Sequence, residues 1–364
     1  MKIFAGRFRL FLLVAVVAFV AAGGYLYRIF FGPNDFHGVR EKTFFVSKGQ
    51  VFPSIVDSLI SQGVVRSKGE FIFVAKVYGG ASRLQVGKYL FPDGVSNAEI
   101  FLTLRSGRGN SLVTITIPEG SRSRAQARIF ARAIGIDSAK FINLVRDGSF
   151  ARLLGIDTPS LEGYLLPQTY GFFWQQDERD VIRRQVDQFK AFYTDSMQAR
   201  AREIGFSTNQ LVTLASIVEG EAVLDEERPI IAGVYMNRLR KKMKLEADPT
   251  IQFILDDGPR RILYSDLHAD SPYNTYRNTG LPPGPVSNPG TASLRAVLFA
   301  TQHSYLFFVA NGKGGHWFTT NYADHLRYVR LYRRQRAKNQ AAALVRDRRL
   351  EMLNLGRSTA GGQE

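Results

Sequence analysis

A glutamate near the end of an apolar helix is the first residue that could carry chemistry. Residues 207–222 start with a helix-capping pattern and repeat apolar residues at spacings of three and four, which predicts a core helix. At about 100° per residue, Glu219 falls beside Val212 and Ala215 rather than on the polar side. A carboxyl group among apolar neighbours is disfavoured as an anion, so it tends to keep a proton at neutral pH. That property suits a general acid acting on a glycosidic oxygen.

The same helix has a structural interpretation. Glu219 and Glu221 could each pair with a basic residue such as Arg228 or Arg238. The periodicity leaves catalysis and ion pairing both open for Glu219, and it assigns Glu221 no role.

A second carboxylate, Glu162, lies in an irregular aromatic segment at 160–173. Gly163 would allow close approach of the backbone to a ligand, and Tyr164 and Tyr170 could stack on sugar faces. The alternative is that Glu162 caps a helix while the aromatic rings lie in the core.

The segment 248–290 is rich in Pro, Gly, Asn and Tyr and has little periodicity. Loops of this length in compact domains are usually functional, and their amide and hydroxyl groups suit a sugar. Asp248 adds a carboxylate or simply begins a helix. His303, His316 and His325 lack the spacing of a helical zinc pair, so neither a metal nor a cofactor is predicted.

The composition and the N-terminal residues together predict an exported chain. It has 364 residues, enough for two or three domains, and its lack of cysteine excludes thiolate chemistry. The net charge of +16 implies an anionic partner, either nucleic acid, acidic lipid or an acidic wall polymer. An uncharged run at 10–27, preceded by Lys2, Arg7 and Arg9, predicts one membrane span with a cytoplasmic N-terminus. Export argues against nucleic acid, for which the sequence has no recognition motif.

A cleaved signal peptide is the alternative to a retained anchor. The small residues Val20-Ala21-Ala22 resemble a cleavage site, but the apolar run continues through Tyr25-Leu26-Tyr27. That continuation favours a retained anchor.

The patterns predict an α+β protein of successive units. Residues 1–31 are the cytoplasmic N-terminus and anchor, and 32–42 are a linker. Residues 43–106 are predicted to form a strand, two helices, a second strand and a further helix. This order resembles the LysM carbohydrate-binding module. The alternative is a spacer domain that holds the next domain away from the membrane. Residues 107–330 form a larger mixed α+β catalytic domain. Residues 331–364 are a basic tail, either a solvated helix or a contact with anionic lipid or polymer.

Seven short motifs carry a family resemblance. They are Glu162-Gly-Tyr-Leu-Leu-Pro167, Leu214-Ala-Ser-Ile-Val-Glu219, Tyr235-Met-Asn-Arg-Leu239, Asp248-Pro-Thr250, Tyr273-Asn-Thr-Tyr276, Gly280-Leu-Pro-Pro-Gly284 and Gly314-Gly-His316. Together they resemble the endolytic murein transglycosylases, the MltG or YceG-like family, from about residue 43 to residue 330. Gln168 and Gly220 depart from the family pattern, which commonly has Asp and Lys there.

The resemblance implies cleavage of a glycan strand without water. The family's catalytic glutamate falls on Glu219, which would protonate the leaving oxygen of the β-1,4 bond after N-acetylmuramic acid. It would then act as base while the C6 hydroxyl closes onto C1 as a 1,6-anhydro ring, so a second carboxylate is not needed. The residues expected to bind substrate are Glu162, Tyr164, Gln168, Asn237, Asp248, Tyr273, Asn274, Thr275, Tyr276, Gly280, Leu281, Pro282 and His316.

The resemblance also implies a cellular setting. The substrate would be nascent peptidoglycan, the location would be the inner membrane with the catalytic domain outside, and the partners would be glycan polymerases such as penicillin-binding proteins. The enzyme would terminate strand elongation. Two alternatives stay open: a muramidase that pairs Glu219 with Glu162 or Asp248 and uses water, and a non-enzymatic wall-binding scaffold.

Overall fold

An apolar helix opens the chain. The computed structural model describes residues 2–80, 84–255 and 260–339, and in it helix α1 spans Lys2–Phe31. Among those residues, Leu10–Phe31 is the one stretch of helix long and apolar enough to cross a membrane. Its side chains from residue 10 to residue 28 are exposed. The helix is therefore compatible with the predicted single-pass anchor.

A small α+β module follows the anchor. Strand β1 (Glu41–Val46) pairs antiparallel with β2 (Gly87–Pro92), and helices α2 (Phe52–Ser61) and α3 (Lys68–Val77) lie between them in sequence. Helix α4 (Asn97–Ser106) comes next and begins with a capping box. The predicted order of these elements is confirmed, while the likeness to LysM stays a prediction.

The core of this module reaches the end of α1. Ile29 of α1 is buried in the same apolar cluster as Phe44, Phe71 and Phe101. The Asn97 amide also donates to the Ile29 carbonyl at 3.0 Å. The module is therefore packed directly on the C-terminal end of α1.

The predicted linker at 32–42 contributes to the same module. Phe36 is buried, and the Asn34 amide donates to the Val95 carbonyl at 2.9 Å and to Asn97 Oδ1 at 3.1 Å. These residues fasten the segment to the module rather than leaving it as a free tether.

The remaining elements are mostly helical and confirm a mixed α+β protein. The helices are α5 (Ser123–Ile134), α6 (Ser138–Val145), α7 (Gly148–Leu153), α8 (Glu178–Phe192), α9 (Asp195–Glu203), α10 (Thr208–Glu221), α11 (Arg228–Arg240), α12 (Asp248–Ile254) and α13 (Thr291–Leu298). Strand β3 (Val113–Thr116) pairs with β4 (Thr169–Phe172), and β5 (Phe307–Ala310) pairs antiparallel with β6 (His316–Thr319). A final helical run covers 322–339. The rest of the predicted basic tail, 340–364, lies outside the described residues.

The chain forms two compact units that are not continuous in sequence. The first consists of Met1–Ile115, Arg128–Ser138 and Thr169–Val181. The second consists of Thr116–Ala127, Ala139–Gln168 and the chain from Ile182 onward. Every residue of the candidate site described below belongs to the second unit.

Helix α10 passes through the core of the second unit. Its eight residues 211–218 are all buried, and Ser207 and Gln210 form a capping box at its start. The polar members are satisfied locally, because Thr213 Oγ1 donates to the Asn209 carbonyl and Ser216 Oγ to the Thr213 carbonyl, both at 2.7 Å. The last turn follows this buried stretch, and it carries both glutamates.

Candidate functional site

The two glutamates of the last turn of α10 face different surroundings. Residues two apart on an α-helix project about 200° apart around its axis, which is nearly opposite. The C-terminal turn also carries a partial negative charge that disfavours carboxylates. Each glutamate therefore needs its own compensation, and the two receive different kinds.

Glu219 is compensated by a positive charge. Its Oε1 lies 3.1 Å from Arg228 Nη1, and its Oε2 accepts the Gly290 N–H at 2.9 Å. Both contacts stabilise a negative carboxylate. The predicted apolar surroundings of the Glu219 carboxyl group are therefore wrong, and the interpretation as an ion pair with Arg228 is confirmed. The helical projection located its Cβ, but the flexible side chain reaches an arginine from another helix.

Arg228 is the centre of a buried ion-pair network. Its Nε donates to Asp225 Oδ1 at 2.8 Å and its Nη1 to Ser293 Oγ at 2.6 Å, while Nη2 lies 4.0 Å from Glu119 Oε2. Burial, together with the negative charge of Glu219, raises the pKa of Glu119 above its usual range. This network links the last turn of α10 to the start of α11 and to α13.

Glu221 differs from Glu219 in that its pKa is raised, so its carboxyl group can hold a proton closer to neutral pH. Burial raises the pKa of its carboxyl group to about 7, and the negative charge of Asp248 contributes. A hydrogen bond from Tyr235 OH at 2.9 Å to Glu221 Oε1 and the charge of Arg238 act in the opposite direction. Glu221 thus has the property that the sequence interpretation gave to Glu219, namely a proton available near neutral pH.

Glu221 opens into a cleft of about 390 Å³. Besides Glu221, this Glu221 cleft is lined by Tyr235, Arg238, Leu245, Glu246, Asp248, Tyr276, Phe308, Val309, Ala310, His316 and His325. The lining comes from α11, α12, the β5–β6 hairpin and the loop before α13. Three of the predicted substrate-binding residues, Asp248, Tyr276 and His316, are brought together here.

Two hydrogen-bonded pairs fix the polar groups of the Glu221 cleft. Tyr276 OH donates to Asp248 Oδ1 at 2.6 Å, and burial with this bond raises the pKa of Tyr276. His316 Nδ1 lies 2.6 Å from Glu227 Oε2, and the His316 N–H donates to Glu227 Oε1 at 2.8 Å. In the part of the chain that the structure describes, His316 Nε2 bonds to no protein atom, so it is the ring nitrogen left to contact a ligand.

Glu162 and Tyr273 line a different cavity, of about 450 Å³. Glu162 accepts hydrogen bonds from the Ser123 N–H at 3.0 Å, Ser123 Oγ at 2.5 Å and Asn288 Nδ2 at 2.9 Å. Burial raises the pKa of Glu162. Because Ser123 is the first residue of α5, the helix-capping alternative for Glu162 is confirmed.

The predicted residues Gly280, Leu281 and Pro282 line a third depression, of about 490 Å³, against Gln210 and Thr213. Gln168 is exposed, and its backbone carbonyl accepts the Ile117 N–H at 3.0 Å. Neither Gln168 nor the 280–282 segment reaches the Glu221 cleft.

Tyr164 and Asn237 are internal. The Tyr164 ring is 1% exposed and packs edge-on against Phe189 at 5.0 Å, and its hydroxyl donates to Asn209 Oδ1 at 3.2 Å. Asn237 Nδ2 donates to the backbone carbonyls of residues 303 and 305 at 2.8 and 2.9 Å. Both side chains are held by contacts within the protein, and neither lines the Glu221 cleft, so their contact with substrate stays a prediction.

Asn274 and Thr275 are internal as well. Asn274 Nδ2 donates to two loop carbonyls at 3.0 and 2.8 Å, and its Oδ1 accepts the Tyr276 N–H. Thr275 Oγ1 accepts the Ala247 N–H at 3.0 Å and lies 2.9 Å from Thr250 Oγ1. They shape the loop that presents Tyr276, and their predicted contact with substrate stays a prediction.

The sequence interpretation missed Glu221 and Tyr235 as site residues. A signal was available, since Glu221 follows Glu219 by two positions and Tyr235 opens one of the seven motifs. Among the described residues, no group of three or more His, Asp and Glu side chains could hold a metal ion.

Comparisons with known proteins point to one family. The model of the YceG-like family matches residues 44–331. The endolytic murein transglycosylase of Bacillus subtilis is 33% identical over 295 residues, which cover 77% of this chain and 81% of that protein. The Streptococcus pneumoniae protein of the same name is 28% identical over 351 residues, covering 86% of this chain and 63% of that protein. A 2.6 Å crystal structure of a yceG-like protein from Listeria monocytogenes superposes with a TM-score of 0.58 and 28% identity, covering 79% of this chain and 98% of that one.

Proposed function

Because the chain belongs to the YceG-like family, we propose that it cuts murein glycan strands internally as a lytic transglycosylase with Glu221 as proton donor. Relatives named endolytic murein transglycosylases support the enzyme class, a lyase acting on peptidoglycan. The observation that carries the residue assignment is the cleft in which Glu221, with a pKa of about 7, meets Asp248, Tyr276 and His316.

The reaction needs one proton donor that later becomes a base. Protonated Glu221 gives its proton to the glycosidic oxygen as the bond from C1 of N-acetylmuramic acid breaks. The carboxylate left behind takes the proton of the C6 hydroxyl while that oxygen bonds to C1, which closes the 1,6-anhydro ring. Protons balance, and water is not consumed.

The neighbours of Glu221 support each half of this cycle. Tyr235 OH holds one carboxyl oxygen in place, and the negative charge of Asp248 favours the protonated state before cleavage. The same Asp248 charge would stabilise the positive charge that develops at C1. Tyr276 and His316 supply hydrogen bonds at the rim for the sugar.

The catalytic role predicted for Glu219 stays a prediction that can be set against this proposal. Glu219 has both carboxyl oxygens engaged by Arg228 and the Gly290 backbone. In our proposal Glu219 is a positioning residue that fixes the last turn of α10.

Digestion of purified murein by the full-length protein in detergent tests this assignment. Wild type should release fragments with anhydromuramyl ends, and Glu221→Gln should lose about 10³-fold of the rate while keeping its thermal stability. Glu219→Gln is the matched control and should stay within about tenfold of wild type once folded protein is counted. If Glu219→Gln is inactive and Glu221→Gln is active, the role returns to Glu219.

One observation favours a muramidase as second candidate. Glu221 and Asp248 line the same cleft, as the acid and base of a hydrolase do. Mass analysis of the same digests separates the reactions, because hydrolysis leaves reducing ends. A digest with only reducing ends would replace the lyase by the hydrolase. Binding of strands without any release of fragments would favour the scaffold.

We also propose a single-pass anchor in the inner membrane with the enzyme outside. Lys2, Arg7 and Arg9 before the apolar helix support a cytoplasmic N-terminus. A C-terminal tag should then be digested by protease added to spheroplasts, and a protected tag would contradict this orientation.

In this location the enzyme would act beside glycan polymerases such as penicillin-binding proteins and terminate strands. Cells with Glu221→Gln as the only copy should make longer glycan strands, and unchanged strand lengths would refute the role.

A further inference from the structure

A second cavity in the same unit is positively charged and is not used by the proposed reaction. This arginine cavity, of about 450 Å³, is lined by Arg122, Arg124, Arg146 and the carboxyl-bearing Glu162. Three positive residues outnumber the one acidic residue of the lining, so the cavity favours an anionic ligand.

The protein itself supplies one acidic group here, Glu162, which interacts electrostatically with Arg122 and Arg146. Glu162 is turned to Ser123 and Asn288, which donate to its oxygens. Within the described ranges, no carboxylate lies within 4 Å of any of the three guanidinium groups. Arg124 and Arg146 are exposed at the rim. Arg122 is partly buried, and desolvation lowers its pKa, which marks a cation deprived of water.

An aromatic wall adjoins these charges. The rings of Phe253 and Tyr273 lie 4.7 Å apart, and the Arg122 guanidinium lies 5.4 Å from the Phe253 ring centre. The cavity therefore suits a ligand that combines an anionic group with an apolar chain.

Two elements connect this cavity to the Glu221 cleft. Helix α12 places Asp248 in the cleft and Phe253 and Ile254 in the cavity. At 1.5 Å per residue, its two ends are about 9 Å apart. Tyr273 lines the cavity and Tyr276 the cleft, so a single short loop borders both sites. A branch of a few bonds on a strand held in the cleft could span this distance.

We propose that the arginine cavity binds a free carboxylate of the peptide that branches from the glycan strand. This inference rests on the proposed function, which makes murein the substrate. The sugars of such a strand carry no charge once the lactyl group is amide-linked, so its negative charges are on the peptides. Arginine pairs with carboxylates in two-pronged hydrogen bonds, and the aromatic wall accommodates aliphatic side chains of the peptide.

Direct binding tests the cavity without relying on cleavage. Fluorescence anisotropy measures the affinity of the full-length protein in detergent for a labelled disaccharide peptide with free carboxylates and for the same compound with its carboxylates amidated. We expect wild type to bind the free acid at least about fivefold more tightly, from the strength of charge-assisted bonds. The rim variant Arg124→Gln/Arg146→Gln should lose this difference, and both substitutions are at exposed positions that leave the fold intact.

The matched control is Arg240→Gln/Lys241→Gln, which removes the same two charges from an exposed surface elsewhere. It should keep the preference for the free acid. Equal wild-type affinity for the two compounds, or an unchanged preference in the rim variant, would overturn the inference. Displacement of the probe by inorganic pyrophosphate at lower concentration than by free peptide would assign the cavity to phosphate and overturn the carboxylate as well.

Strand cleavage by the same preparation keeps the two proposals apart. Selective probe binding without any strand cleavage would refute the proposed function and leave the anion site standing. Cleavage with no discrimination between the two probes would refute the anion site alone.

Discussion

The two sides of the last turn of α10 differ in how they neutralise a glutamate. On one side Arg228 meets Glu219 at 3.1 Å inside a network of charges. On the other side Glu221 has a tyrosine and an aspartate as neighbours, and burial raises its pKa to about 7. The comparison teaches that two glutamates only two positions apart on one helix can have different surroundings, an ion pair for Glu219 and a buried site with a raised pKa for Glu221.

Replacing Arg228, the positive partner of Glu219, should cause the largest loss of stability. Arg228→Met leaves the buried carboxylate of Glu219 without its cation, and we expect a loss of about 3 to 5 kcal/mol in the free energy of unfolding. Denaturant unfolding of the full-length protein in detergent measures it. The double variant Arg228→Met/Glu219→Gln should recover part of the loss, because it no longer buries an unpaired charge.

Arg240→Met is the control on the same helix. Arg240 is exposed, and its replacement should change the free energy of unfolding by less than about 0.5 kcal/mol. A similar cost for both arginines would mean that the ion-pair network does not set the stability of this side.

On the Glu221 side, replacing the glutamate should raise the free energy of unfolding, whereas replacing Arg228 on the other side lowers it. The folded pKa is about 7 against a reference value of 4.5, so Glu221 lowers stability as the pH rises through this window. Glu221→Gln cannot ionise, so its free energy of unfolding should exceed that of wild type by about 3 kcal/mol at pH 8.5, whereas the two should agree at pH 4.

Unfolding curves at the two pH values check this sign. Glu219→Gln measured in parallel should be destabilised at pH 8.5, because it removes the partner of Arg228. If Glu221→Gln were also less stable at pH 8.5, the carboxyl group would not be disfavoured as an anion, and the contrast between the two sides would disappear.

The smallest effect concerns Asp248, whose negative charge helps to raise the pKa of Glu221. Wild-type activity should fall as the pH rises through about 7, since the donor is then lost. Asp248→Asn removes a negative neighbour, so the pKa of Glu221 falls and the descending limb should move down by about 0.5 to 1 pH unit. The pH profile of murein cleavage, scaled to its own maximum, measures this shift.

Asp270→Asn provides the control for that profile. Asp270 belongs to the same loop region, but its side chain is 96% exposed and pairs with Arg277. Its replacement should leave the descending limb in place. A shift of the limb in the control, or none in Asp248→Asn, would show that Asp248 does not tune the donor.

Much of the fold could be predicted from local patterns. The apolar anchor, the strand–helix–helix–strand order of the module and the buried helix α10 follow from residue spacing and capping pairs such as Ser207 with Gln210. The packing of the predicted linker could not be predicted, because a segment rich in Pro, Gly and Asn gives no sign that Phe36 and Asn34 pack into a core.

The candidate site was predictable in composition but not in arrangement. Of the thirteen residues expected to bind substrate, Asp248, Tyr276 and His316 lie in the Glu221 cleft. Asn237 and Asn274 have amides of the kind a sugar would use, yet the protein's own carbonyls take them. A motif shows which polar residues are present but not which of them is already bonded.

The sequence by itself determined the family motifs, the apolar N-terminal helix and a helix that carries two glutamates at its end. Only the tertiary structure decided which glutamate pairs with a cation and which lines a cleft. Periodicity fixes the direction of a side chain around the helix axis, whereas the partner in that direction comes from elements distant along the chain. Arg228 and Tyr235 both come from α11, and Asp248 comes from α12, so the packing of these helices sets the surroundings of Glu219 and Glu221.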